Sequence, residues 1–272
     1  MNKQSSLRFN EVFKQTIHFI SNRIGTIIIT CIIFGVLMTL AINSFFYQEL
    51  LTEFKTNPAV IIYPFFQFYL FHTFIIAIII AMIYSFSHCD NLNINKLISN
   101  SVAKFFQLCV FYLLFIGVIL VPLMIVIFLL QHVLLLLFPQ QGETIFDLMM
   151  TIVSLIFLFV FYFYCASIVE PKQKRFKDLF ADAFNFRINL KSATAIMFIC
   201  YIVCVCVVLP PVLNSLNAEN YFVVMSILFC LTYFLIFVLI SFFYRFITLQ
   251  TNNQTPVSKK DEDDQQYNSL IL

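Results

Sequence analysis

The sequence predicts an all-α, polytopic membrane helix bundle with six transmembrane helices and both termini on the cytoplasmic side. Three observations predict it. Of 272 residues, 61% are hydrophobic and only 11% charged, with a mean hydropathy of +0.92, whereas a soluble globular chain averages roughly 45–50% apolar and about 25% charged residues. Apolar runs of about 20 residues, the length that crosses about 30 Å of hydrocarbon, recur along nearly the whole chain. The third observation is the placement of Lys and Arg, which are enriched in short cytoplasmic loops and depleted on the other side.

Residues 5–22 carry Phe9, Phe13, Ile17 and Ile20 three or four apart, with Arg8, Glu11, Lys14 and Gln15 mostly on the other side. This period predicts an amphipathic helix lying on the headgroup surface. Span one follows over about 24–47. A polar connector holding Glu49, Glu53, Lys55 and Pro58 leads into span two, about 60–87, with Pro64 near its start, where proline costs least. His88 to Lys104 form the next polar loop.

The apolar run from Phe105 to Phe138 is too long for one span and too short for two with an ordinary turn. With six spans, fifteen of the sixteen Lys and Arg residues lie inside and only Lys55 lies outside. A reversal at Pro122 would move the six charges between Lys172 and Lys191 outside. Span three is therefore about 105–129, bent near Pro122, followed by an apolar external stretch through Phe138. After an acidic turn from Gln140 to Asp147, span four covers about 148–169 and stops at Glu170 and Pro171.

Phe176, Leu179, Phe180, Ala183, Phe184 and Leu190 then recur at helical spacing, away from Lys174, Lys177, Asp178 and Asp182. They predict a second cytoplasmic interfacial helix over about 174–190. Span five is about 192–213, with Pro210 and Pro211 near its outer end, and span six about 221–249, with Arg245 snorkelling to the inner interface. Residues 250–272 are polar and read as a disordered cytoplasmic tail.

The net charge of +2 is spread over short loops, which argues against nucleic acid as a partner and for anionic lipid headgroups. Lys14, Arg23, Lys172, Lys174, Arg175 and Lys177 are the candidate headgroup contacts, and a membrane-protein partner is the other candidate. Seven of the eight cysteines fall inside apolar spans, with Cys89 at the edge of one, so they read as packing residues. Cys200 and Cys204 stand one helical turn apart with no histidine in the same span, which is too few ligands for zinc. No hydrolase, phosphate-cradling or paired-carboxylate motif occurs in the spans, so neither a catalytic site nor a cofactor is expected.

His72 is the one ionisable residue near the middle of a span. Such a residue is a functional-site hypothesis, with Tyr69 and Gln67 completing a polar patch on span two. The plainer reading is a neutral imidazole hydrogen-bonded to a neighbouring helix. A transporter of a small or amphipathic solute would use this patch and the proline kinks. A noncatalytic protein working through lipid or protein contacts would need neither.

The segment Val12-Phe13-Lys14-Gln15-Thr16 leading through Asn22-Arg23 into span one resembles the start of the YciC-type bacterial inner-membrane proteins. So do Ile168-Val169-Glu170, the charged helix after it, Phe186-Arg187-Ile188-Asn189-Leu190, and the late proline of span three in Val121-Pro122. The resemblance covers residues 12 to about 249, departs where Leu123 replaces a usual glycine, and has no counterpart to the tail. It implies a six-span protein of the bacterial cytoplasmic membrane, with no assigned chemistry.

Overall fold

A computed structural model describes residues 9–45, 57–88, 94–115, 117, 121–137, 141–170 and 218–254, and over these the chain is helical throughout, with no strand. The helices are α1 (Phe9–Ser21), α2 (Ile24–Phe45), α3 (Ile62–His88), α4 (Ile94–Leu114), α5 (Val121–Leu137), α6 (Gly142–Ser167) and α7 (Ala218–Gln254). Among them α2, α3, α4, α6 and α7 are long and apolar enough to cross a membrane. This is the build of a multi-pass membrane protein. The expected span at 192–213, the interfacial helix at 174–190 and the tail from residue 255 lie outside the described residues.

Helix α3 is the centre of the bundle, packed against α2, α4 and α7. A short 3-10 turn, Pro58–Ile61, leads into it, and the Asn57 side chain accepts from the Ala59 amide at 3.1 Å, satisfying one of the donors that every helix start leaves open. Its second half buries Ile75, Ile76, Ile79, Ile80 and Ile83. On the outside, Ile28, Ile29, Ile32 and Ile33 of α2 and Val102, Phe106, Val110 and Leu113 of α4 are exposed. Water would drive so much apolar surface to aggregate, whereas hydrocarbon solvates it.

Two kinds of helix contact hold the bundle. Where α2 meets α7 the backbones come close, because Gly35 offers no side chain: a methyl there would stand 2.5 Å from Ser226 O and 2.8 Å from Cys230 N. Beside it the Ser226 hydroxyl donates to Thr39 Oγ1 at 3.2 Å, and Thr39 donates to Gly35 O at 2.9 Å. Where α4 meets α6 the helices are held by rings: Phe111 stacks on Tyr164 at 4.2 Å, Tyr112 on Phe161 at 5.4 Å, and Phe115 meets Phe157 at 4.8 Å. Aromatic pairs of this kind add about 0.5–1.5 kcal/mol each beyond the area they bury.

These pairings also set direction. Phe111 faces Tyr164 and Phe115 faces Phe157, so α4 and α6 are antiparallel. Helices α5 and α6 pack together. Tyr69 meets Tyr112 and Phe74 meets Phe105, so α3 is antiparallel to α4. His72 meets Tyr233 and Phe86 meets Phe237, so α3 and α7 run the same way. Helices α6 and α7 therefore also run the same way.

Several boundaries differ from the sequence reading. The polar stretch before span three is mostly helix: α4 begins at Ile94, and Asn95, Lys96, Asn100 and Lys104 lie on it. Hydropathy marks where lipid begins, and a helix built of good helix formers continues past that boundary. The bent span expected over 105–129 falls on α4 and α5, with π-helical residues at Phe115 and Gly117, and residues 116 and 118–120 lie outside the described residues. Helix α6 begins at Gly142, so Asp147 of the expected acidic turn is helical. Helix α7 runs on to Gln254, past the expected start of the tail at 250.

Replacing Gly35 with Ala pushes a methyl into the backbone of α7 and separates α2 from α7. The expected loss is about 1–3 kcal/mol, the usual result of overpacking a tight contact. A thermal melt of the purified protein in detergent checks this, and an unchanged midpoint would mean that the two helices are not held this closely.

Candidate functional site

Arg23, His88, Glu170 and Arg245 lie at one end of the bundle, where α2 starts and α3, α6 and α7 finish. Two observations place α1 there as well: Arg23 lies over the Phe86 ring of α3 at 5.8 Å, and Arg245 of α7 lies over the Phe19 ring of α1 at 4.7 Å. Helix α1 docks through Val12, Thr16, Phe19 and Ile20, all buried, while Phe13 and Ile17 remain exposed. The apolar residues that the sequence placed on one face of an interfacial helix therefore divide between α7 and the outside, because α7 offers a closer apolar surface.

The tightest knot forms where α6 ends. Its final carbonyls have no partner within the helix, and the Lys104 ammonium of α4 donates to Ile168 O. Lys104 is 7% exposed, a buried cation at the negative end of a helix dipole. Two residues further on, Glu170 accepts from the Tyr244 hydroxyl at 2.6 Å and lies 3.5 Å from His88 Nε2. His88 Nδ1 also donates to Tyr84 O at 3.1 Å. Glu170 and Lys104 thus tie α3, α4, α6 and α7 together at one level. The sequence reading treated Lys104 as a loop charge and Glu170 as part of a helix stop, since nothing in linear order joins two residues so far apart.

Near the middle of the bundle, His72 Nδ1 and the Tyr233 hydroxyl of α7 are hydrogen-bonded at 3.0 Å. The imidazole lies parallel to Phe68, 6.3 Å between centroids, and Phe34 of α2 meets the Tyr233 ring edge-on at 5.9 Å. Tyr69, on the same helix, packs instead against Tyr112 of α4 at 4.8 Å. Gln67, half-buried, is not among the groups that meet the His72 ring. The described polar contacts between helices here come from tyrosine, which hydropathy counts as apolar: Tyr233 with His72, and Tyr164, whose hydroxyl donates to Gln107 O at 3.2 Å.

Of the candidate headgroup contacts, Lys14 is exposed on α1 and Arg23 lies at the α1–α2 turn, whereas Lys172, Lys174, Arg175 and Lys177 are outside the described residues. Cys200 and Cys204 are outside them too. Among the described residues no three or more His, Cys, Asp and Glu side chains converge on a point that could hold a metal ion. No family model, curated protein or solved structure matches this chain.

Substituting Glu170 with Ala leaves Tyr244 and His88 without their shared acceptor. A hydrogen bond to a charged group contributes about 1.5–3 kcal/mol, so a clear drop in the melting midpoint is expected. Glu170→Gln keeps an oxygen for Tyr244 and should lose less. Equal losses for the two variants would mean that the carboxylate acts through its charge alone.

Proposed function

We propose that this chain is a noncatalytic protein of the bacterial inner membrane, of the YciC type, that acts through lipid or protein contacts in envelope maintenance. The observation that carries the reading is the pairing of His72 with Tyr233. The one ionisable residue near mid-span is engaged by a neighbouring helix and stacked on Phe68, which supports a packing role for it. Arg23 and Arg245 lie instead at the end where α1 docks, beside exposed apolar side chains. A surface of that kind meets headgroups or the juxtamembrane part of another protein.

The proposed topology is six spans with both termini inside. Helices α6 and α7 run the same way, so a six-span arrangement needs one further crossing between them. The apolar stretch at 192–213 has the length for that crossing. The charged end then faces the cytoplasm, in keeping with the Lys and Arg distribution.

Alkaline phosphatase fused after Gln140 should be active and after Ala181 inactive. Activity at Ala181 would sink the six-span arrangement. For function, the wild-type chain extracted from native membranes is expected to carry anionic lipid or a membrane-protein partner, and His72→Phe should carry the same set. A His72→Phe chain that folds normally but loses the cellular phenotype would favour the transporter reading instead.

A further inference from the structure

The last residue of α3 and the third residue after α6 bring an imidazole and a carboxylate to one point, with His88 Nε2 3.5 Å from Glu170 Oε1. A charge-assisted N–H···O bond between such groups is shorter, about 2.7–2.9 Å. Two ligands at about 2.0–2.2 Å from a tetrahedral zinc stand about 3.4 Å from each other. Neighbouring ligands on an octahedral magnesium stand closer, about 3 Å apart. The observed separation is that of a tetrahedral pair.

Both groups are also held as metal ligands are held. A ligating histidine gives its second ring N–H to a carbonyl or carboxylate, and a ligating carboxylate is hydrogen-bonded in turn. His88 Nδ1 donates to Tyr84 O at 3.1 Å, one turn back on α3. In a neutral ring that leaves a lone pair on Nε2, the nitrogen that faces Glu170. A lone pair gains nothing from a carboxylate oxygen, whereas a cation between the two is bound by both. The Tyr244 hydroxyl of α7 holds Glu170 Oε1 at 2.6 Å, and the Tyr84 ring lies against His88 at 4.5 Å between centroids. The His88 and Glu170 side chains are 41% and 25% exposed, so an ion from solution reaches them.

We propose that His88 Nε2 and Glu170 Oε1 are two ligands of a zinc site that joins the end of α3 to the end of α6. Zinc takes both imidazole nitrogen and carboxylate oxygen, and its tetrahedral shell fits their spacing. The other positions are open to water. Cys89 and Asp90, which follow His88 in the sequence, lie outside the described residues. The Lys104 ammonium donates to Ile168 O, and its charge also acts on Glu170. That nearby positive charge makes the site weaker than a four-ligand structural zinc. Because folding assembles the pair, zinc binds the folded chain and stabilises it in proportion to how far the site is filled. The site stands apart from the lipid or protein contacts proposed above.

The test uses the full-length protein in detergent, stripped with a chelator and then given zinc chloride or magnesium chloride at equal micromolar concentration. Zinc should bind and raise the melting midpoint of the wild type, and magnesium should leave it unchanged. Cobalt(II) in place of zinc should show the intense visible absorption of tetrahedral coordination. His88→Gln and Glu170→Gln should each abolish the zinc-dependent shift. Tyr244→Phe keeps both ligands and removes only the hydroxyl that holds Glu170, so it should weaken zinc about tenfold. A wild-type chain with no zinc-dependent shift overturns the site. So does a folded His88→Gln that binds zinc as the wild type does, since the ion then sits on other residues. An equal shift from magnesium overturns the tetrahedral assignment. Should either ligand variant fail to fold, the other decides.

Discussion

A helix that ends beside hydrocarbon must find partners for its last carbonyls within the protein, because lipid supplies no donors. At the end of α6 the buried Lys104 ammonium meets that need by donating to Ile168 O, and Glu170 follows directly with a carboxylate for Tyr244 and His88. Lys104, His88 and Tyr244 come from α4, α3 and α7. The solution for one helix end therefore sets the relative height of α3, α4, α6 and α7. The Tyr244 bond is the strongest single candidate within it, a short hydrogen bond to a carboxylate, while the partly exposed His88 contact is screened and contributes less.

Away from that end the bundle relies on shape. The hydrophobic effect gives helices little reason to associate once lipid surrounds them, so packing and a few internal hydrogen bonds must do it. The described helices use two solutions. Gly35 lets α2 and α7 approach until backbone meets backbone, and the α4–α6 pair fills a wider gap with stacked rings. Tyr233 links the two regimes, since its ring packs on Phe34 of α2 while its hydroxyl reaches His72 of α3. The mid-span histidine is thereby hydrogen-bonded to a neighbouring helix.

The position of α1 connects this scaffold to function. Because Phe19 serves as the platform for Arg245, the interfacial helix is docked to the bundle instead of lying loose on a surface. Docking leaves Phe13 and Ile17 facing outward next to α2, so apolar and cationic groups meet at the rim. Arginine suits this position because it stays charged while its flat face is buried against a ring.

Composition, hydropathy and charge placement determined by themselves that the chain forms apolar helices long enough to cross a membrane, and where most of them lie. Those signals are local and additive, and lipid rewards them directly. The helical residues of α4 from Ile94 onward were not legible, because helical hydrogen bonding and membrane depth are separate quantities and hydropathy reports only the second. His72 stood out as a mid-span ionisable residue, but its partner Tyr233 lies 161 residues away. The Lys104 contact with Ile168 O, the Glu170 tie and the Arg245–Phe19 stack likewise join residues from different helices. Only the tertiary structure decided these, since the face that each helix turns to its neighbours depends on how all of them pack at once.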